Sequence, residues 1–226
     1  GLASDYLFLQ ALVFMGSTLE RQERPRVKEW EWRWMYNVLN ASTDLDPYFL
    51  DPYYFGQAHL TWEGNLVRET NTMLEKGSRY RNWDWMLLFY AGFNSFYFLH
   101  EDANASEYLM EASKRPDASP SIASLAARLA YKGKRTENAI IFLQEMIKRT
   151  EDEDIRKHYE TRLEALKGIL FLERAVAFYK DRFGRMPDNL RELVDKGIIR
   201  GLPGDPYGGE FYIDKDGSIK TTSELR

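Results

Sequence analysis

Three histidines, His59, His100 and His158, are the side chains best suited to acid–base or metal chemistry, and they are scattered along the chain. Common zinc sites use spacings such as His-x-x-x-His or His-Glu-x-x-His, and neither spacing occurs. The Gly-x-Ser-x-Gly motif of serine hydrolases is also missing. The sequence therefore predicts a non-enzymatic protein with no catalytic residue, no metal site and no cofactor.

Two other stretches have the composition of ligand-binding loops. The stretch that starts at Asp214 is similar to the opening of a calcium loop, but its twelfth position is Leu225 rather than the required glutamate. A hairpin turn at Asp216-Gly217 is the simpler interpretation. Residues 201–209 contain four glycines, yet two prolines and a following predicted strand indicate a structural loop rather than a phosphate site.

Aromatic side chains are the unusual feature of the composition. They make up 15% of the 226 residues, and most of them precede residue 100. Core packing is expected to use the majority, which leaves some for a binding surface. The net charge is −4, with acids and bases mixed along the chain, which argues against a nucleic-acid partner. The absence of cysteine excludes disulfides and leaves the compartment open.

Helical spacing dominates residues 1–183. The patterns over Leu2–Leu19 and Arg26–Leu39 predict amphipathic helices. In the stretch LDPYFLDPYYFGQAHL, Asp46-Pro47 is expected to end one helix and Asp51-Pro52 to begin the next. The helix over Leu66–Lys76 is expected to end at Gly77 in the left-handed conformation. Two further helix starts are predicted 33 and then 35 residues after Asp51, at Asp84 and Ser119. A helical hairpin that recurs about every 34 residues is typical of a tetratricopeptide solenoid.

Residues 46–150 resemble tetratricopeptide repeats, arranged as three hairpins. Small residues and a proline fall near the positions that these repeats use for close helix packing: Gly56, Ala91-Gly92, Ala112, Pro116, Ala127, Gly133 and Ala139. Residues 1–45 are expected to form a degenerate or capping hairpin. The resemblance implies a protein–protein interaction scaffold.

Residues 151–226 are predicted to form a second region, with a long helix from Glu151 to about Arg182 and a short helix over Pro187–Lys196. Strands are predicted at Glu210–Ile213 and Ser218–Thr221. Part of this region, about 170–222, resembles the C-terminal part of type II secretion major pseudopilins. The matching residues are Gly184, Pro187, Leu190, Leu193, Leu202, Pro203, Asp205, Pro206, Tyr207, Gly208 and Tyr212. The predicted fold is mostly α, a helical-hairpin solenoid with a small α+β tail.

A concave groove is predicted from the first helices of the three hairpins. With Gly56, Gly92 and Ala127 taken as equivalent, the predicted lining residues are Tyr53, Gln57, Leu60, Phe89, Phe93, Tyr97, Arg128 and Tyr131. Such a groove suits an extended peptide or an amphipathic helix. The leading hypothesis is a scaffold that binds a protein segment in a bacterial cell-envelope assembly related to secretion or pili.

Two alternatives stay open. A carbohydrate-binding or glycan-processing protein could use aromatic platforms beside carboxylates, as at Trp62-Glu63 or Trp83-Asp84. A structural subunit could instead associate with itself through exposed aromatics. The sequence begins without Met inside an apolar pattern, which predicts a membrane anchor or signal upstream and a periplasmic or membrane-anchored protein. The partner and the oligomeric state are left open.

Overall fold

A computed structural model describes residues 1–22 and 25–225, and this part of the chain is mostly helical with a small C-terminal sheet. The predicted fold class, mostly α with a β-hairpin tail, is confirmed. The helices are α1 Leu2–Leu19, α2 Glu29–Leu45, α3 Asp51–His59, α4 Val67–Tyr80, α5 Met86–Tyr97, α6 Asp102–Ser113, α7 Pro120–Lys132, α8 Thr136–Arg149, α9 Glu153–Phe183 and α10 Arg191–Asp195. Strands β1 Phe211–Ile213 and β2 Ile219–Thr221 pair antiparallel, with Tyr212 opposite Lys220.

The chain divides into two compact units, Gly1–Ile122 and Ala123–Arg226. The division lies in the first turn of α7, whereas the sequence analysis placed the boundary at residue 150. The difference arises because α8 packs along α9, so the third predicted hairpin groups with the long helix that follows it.

Several predicted helix ends use a different residue as the cap. Asp51 lies inside α3, whose N-cap position is Leu50 and has no side-chain cap hydrogen bond. The N-cap position of α5 is Trp85 rather than the predicted Asp84, although Asp84 Oδ1 accepts a hydrogen bond from the backbone N–H of Met86 at 3.0 Å. At α9 the cap is Asp152, which accepts from two backbone N–H groups of the first turn.

Gly77 was predicted to end a helix in the left-handed conformation, and this expectation needs correction. It lies inside α4, which continues to Tyr80. A Cβ atom at Gly77 would lie 2.7 Å from ring carbons of Tyr53. The glycine therefore lets α3 and α4 approach closely and does not terminate α4.

The core of the first unit is built by α1 to α5. Its fully buried members include Met35, Leu39, Met73, Leu74 and Leu87. Partly buried rings from α1 and α3, such as Phe8 and Phe55, pack against it and meet edge to face at 5.7 Å.

In the second unit, β2 and the preceding loop pack beside α9. The Asp205 carboxylate accepts hydrogen bonds from the Tyr207 backbone N–H and from the hydroxyls of Thr221 and Ser223, which ties the proline-containing loop to β2. Gly217 adopts φ +81°, so the predicted turn at Asp216-Gly217 is present. Within residues 1–22 and 25–225, no three His, Cys, Asp or Glu side chains are grouped as a metal site.

Candidate aromatic binding cleft

The main candidate site is a cleft between α3 and α5 in the first unit, here called the aromatic cleft. Its volume is about 460 Å³, within the range of ordinary ligand and side-chain pockets. The lining residues are Tyr54, Gln57, Ala58, Trp62, Phe89, Tyr90 and Phe93. None of them carries a formal charge at neutral pH, so the cleft suits an apolar, uncharged group.

One side of the aromatic cleft is a group of four rings that pack on one another. Phe93 and Tyr97 lie one helical turn apart on α5 and stack with centroids 5.3 Å apart and an interplanar angle of 10°. The Trp62 ring lies 5.7 Å from Tyr97 and meets Phe98 edge to face at 4.8 Å. Trp62 and Tyr97 nevertheless remain 54% and 52% exposed. These rings are held in place by their neighbours and still present their surface to solvent.

A network of buried amides connects the floor of the aromatic cleft to the helices behind it. The side chains of Gln57 and Asn94 exchange two hydrogen bonds, with N···O distances of 2.9 and 2.7 Å. Asn94 also donates to Asn71 of α4 at 2.9 Å, and Asn71 donates to the Ala91 carbonyl and to Ser95 Oγ, each at 3.2 Å. Satisfied buried networks of this kind fix the relative positions of the elements that contribute to them.

The network also sets the chemistry at the cleft floor. The Gln57 Nε2 group carries two hydrogens, and its bond to Asn94 uses one of them. Its Oε1 accepts from Asn94 and, at 3.3 Å, from the Thr61 hydroxyl. Gln57 also lines the aromatic cleft, so its side-chain amide is the polar group at the cleft floor.

Tyr54 provides a hydroxyl beside the cleft. Its ring meets Tyr90 edge to face at 5.8 Å. Burial raises the pKa of Tyr54 to about 12, and the nearby negative charge of Asp84 acts in the same direction. The hydroxyl therefore stays protonated at physiological pH, and the cleft remains uncharged.

The predicted groove residues of the first two hairpins divide into two groups. Gln57, Phe89 and Phe93 line the aromatic cleft, and Tyr97 lies in its ring group. Tyr53 and Leu60 are fully buried, so their assignment to a binding surface is corrected. The reason is that the Tyr53 side of α3 faces α4, where the Tyr53 ring packs against Gly77.

The two groove residues predicted from the third hairpin, Arg128 and Tyr131, belong to α7 in the second unit and are half-buried. The Tyr131 hydroxyl donates a hydrogen bond to the Ile219 carbonyl at 2.6 Å, and burial raises the pKa of Tyr131. Tyr131 is thus engaged in holding the β-hairpin against α7.

Sequence reasoning missed Tyr54, Tyr90 and Trp62 as cleft residues and did not anticipate the amide network. One signal was present for the network. Asn94 and Ser95 interrupt the uncharged run Trp85–Leu99, and two polar residues within a buried apolar helix require partners.

Comparison of the chain with known proteins does not identify a family for it. No protein-family model matches the chain, and no curated protein or solved structure matches it. The function is therefore argued from the geometry of the site.

A second exposed aromatic group surrounds Trp83. Tyr48 and Trp83 are nearly parallel at 6.2 Å, and the Arg81 guanidinium lies 5.3 Å from the Trp83 ring centre. The adjacent Asp84 carboxylate pairs with Arg81 at 3.2 Å and accepts from the Met86 N–H at the start of α5. The carbohydrate hypothesis also named Trp62-Glu63, and there the Glu63 carboxylate contacts His59 Nδ1 at 2.9 Å. Both carboxylates have structural partners.

Proposed function

We propose that the protein is a non-enzymatic binding scaffold whose aromatic cleft receives an apolar segment of a protein partner. The observation that carries this proposal is that the Trp62 and Tyr97 rings are exposed and yet held in place by each other and by the half-buried Phe93 ring. Rings already fixed by their neighbours lose little conformational freedom when a partner binds, and exposed Trp and Tyr are the residues that most often dominate binding energy.

The occupant best suited to the aromatic cleft is a peptide or amphipathic helix that inserts one or two apolar side chains. The uncharged lining disfavours an acidic or basic anchor, because a charged group would lose its hydration without gaining a partner. A backbone or amide carbonyl of the occupant would accept a hydrogen bond from the Gln57 side-chain amide. This polar contact would fix the orientation of an otherwise apolar segment.

A tetratricopeptide-like solenoid is the architecture that we propose for the helical hairpins. Close packing at Gly56 and Gly92 supports it, because these glycines occupy similar places in α3 and α5 and both face a side chain of the following helix. A role at the bacterial envelope is supported by the loop organised by Asp205, whose residues resemble the pseudopilin C-terminal region. The apolar helix α1 is compatible with such a location.

The test is to select peptides from a random display library on the purified protein and to measure their affinities for variants. Phe93→Ala and Trp62→Ala should each raise the Kd by at least about tenfold, since each removes a central ring of the binding surface. Phe178→Ala is the matched control, because Phe178 is an exposed ring of the second unit. If the selected peptides bind Phe93→Ala as tightly as the parent, the aromatic cleft is not the binding site.

Carbohydrate binding is the second candidate, favoured by the exposed aromatic group around Trp83. Glycan-array binding that is lost in Trp83→Ala and retained in Phe93→Ala would support this candidate over the scaffold. The Trp83 ring is partly occupied already, because Tyr48 stacks on it and the Arg81 guanidinium lies over it. We therefore place it behind the peptide-binding proposal.

A further inference from the structure

Helix α1 exposes six large apolar side chains, although Phe8, Phe14 and Met15 of the same helix pack against the core. Leu9 and Val13 are 54% and 64% exposed, and the same surface carries Leu2, Tyr6, Leu12 and Leu19. Between Asp5 and Glu20 the helix has no charged residue. In the described part of the chain, α1 alone is long and apolar enough to meet the criterion for a membrane-crossing helix, and only 17% of it is buried.

The opposite side of α1 is the side that packs on the protein. It presents the small residues Ser4, Ala11 and Thr18, spaced seven apart, and all three are buried. Ser4 and Ser42 of α2 each donate a hydrogen bond to the other's backbone carbonyl at 2.9 Å. These contacts fix the rotation of α1 about its axis. The apolar surface therefore stays outward and cannot turn into the core.

The end of this surface has the residue types that favour a lipid headgroup region. Trp34 of α2 packs against Phe14 of α1 with ring centroids 5.1 Å apart, and Trp30, one turn earlier, is exposed. Beyond them, Arg26 and Lys28 are exposed as well. Tryptophan concentrates at membrane interfaces, and Arg and Lys side chains attract anionic lipid phosphates.

We propose that the first unit binds the surface of an anionic lipid bilayer through α1. The helix lies in the plane of the interface, with Leu9 and Val13 in the outer acyl region and Trp30 and Trp34 at headgroup level. An in-plane position fits better than a crossing one, because α2 packs along α1 and carries charged residues, which would enter the bilayer with it.

A bilayer explains the surface better than a second copy of the chain does. Two copies joined through α1 would bury the apolar side chains, but such contact would not account for the tryptophans and basic residues that accompany the surface. An apolar helix surface accompanied by exposed tryptophan and basic side chains has the composition of a helix that lies in a bilayer interface.

The experiment is flotation of the full chain with vesicles of phosphatidylcholine and phosphatidylglycerol. The parent should float with the vesicles. The partition coefficient of the double variant L9Q/V13Q should fall at least about tenfold, because it replaces two apolar side chains that the bilayer would bury. The variant R26Q/K28Q should also lose about tenfold or more, from the contribution of each cation near an anionic surface. Ile141→Gln is the control, since Ile141 is an exposed apolar residue of α8.

Because all of these positions are exposed, the variants should unfold at the parent's temperature, which circular dichroism verifies. Failure of the parent to float, or unchanged partition of L9Q/V13Q or R26Q/K28Q, would overturn the proposal. Light scattering supplies one more contrary outcome: a dimer without lipid that L9Q/V13Q converts to monomer would assign the surface to a second copy. The proposal is independent of the aromatic cleft, whose variants change different residues.

Discussion

At Gly92, α5 and α6 come so close that no side chain fits between them. A Cβ atom there would lie 2.8 Å from Leu109 Cγ and 3.2 Å from the carbonyl oxygen of Ala105. Both neighbours belong to α6, and the carbonyl is part of its backbone. The space between the two helices is thus set by one missing methyl group.

We expect Gly92→Ala to lower the free energy of unfolding by about 1–3 kcal/mol, because the overpacking cost exceeds the gain in helix propensity. Gly16→Ala is the matched control. Gly16 lies in α1 with nothing within 4 Å of the added Cβ, so the substitution should stabilise by about 0.5–1 kcal/mol. Urea unfolding followed by circular dichroism measures both. Equal stability of Gly92→Ala and the parent would contradict the packing argument.

Individual residues show how far local sequence signals extend. Asp84 was predicted as a helix cap and lies one residue before the N-cap position Trp85, where its carboxylate still accepts from the Met86 N–H. Gly77 was predicted as a helix end and is a packing site instead. Glycine is favoured both at a left-handed helix end and at a close contact between helices, so the residue type alone does not tell the two apart. Only the position of Tyr53 on the neighbouring helix distinguishes the two, and that position is not local information.

At the scale of elements, the amide network joins α3, α4 and α5. Asn94 has no solvent exposure, and its side chain bonds to Gln57 and Asn71 at the same time. Removing it would leave Gln57 Nε2 without its acceptor and Asn71 Oδ1 without its donor. The orientation of three helices therefore depends on one side chain.

We expect Asn94→Ala to lower the free energy of unfolding by about 2–4 kcal/mol, since each unsatisfied buried polar group costs about 1–3 kcal/mol. The control is Asn138→Ala, an exposed position on α8, which should change stability by less than about 0.5 kcal/mol. Chemical denaturation gives both values. A change below 1 kcal/mol for Asn94→Ala would show that the helices are held by apolar packing alone.

The elements also show why only part of the aromatic cleft could be predicted. The existence of α3 and α5 follows from helical periodicity and proline or aspartate signals. The side of α3 that faces outward does not, because Tyr53, Tyr54 and Phe55 are consecutive aromatics and point to different sides of the helix. Which side of α3 is buried is determined by α4, which packs against the side that carries Tyr53. Phe89 and Phe93 were placed correctly because one turn of α5 separates them on the same side.

At the scale of the molecule, hydrogen-bonded carboxylates of both units should make the fold sensitive to acid. Hydrogen bonds from Arg185, Tyr179 and the Asp188 backbone lower the pKa of Glu192 to about 2. The Arg68 guanidinium, with help from Asn104, lowers the pKa of Glu101 in the first unit.

A carboxylate whose pKa is lower in the folded state than in the unfolded chain, where it is about 4.3, stabilises the fold above that pH. This contribution decreases as pH falls from about 4.3 towards 2. We therefore expect the thermal unfolding temperature to fall over this interval, and to fall less steeply in Glu192→Gln. The control Glu160→Gln, at an exposed position of α9, should retain the parent profile. A Glu192→Gln profile identical to the parent would contradict the assignment.

The division into units could not be predicted from local signals. The predicted helix ends were evenly spaced and indicated three hairpins. The grouping of α8 with α9 depends instead on the packing between these two helices, which helix ends do not reveal. The C-terminal hairpin was predicted within one residue at each strand, because the Asp216-Gly217 turn and the strand pattern are local.

The bond between Tyr131 and Ile219 joins positions 88 residues apart, and Arg162 of α9 donates to the Leu225 carbonyl at 2.6 Å. A ribosome releases α7, α8 and α9 well before these last partners emerge from its exit tunnel. During that interval the surface that Ile219 later covers is open to chaperones and proteases. The second unit must therefore complete its folding after translation has passed the hairpin, rather than helix by helix as it is synthesised.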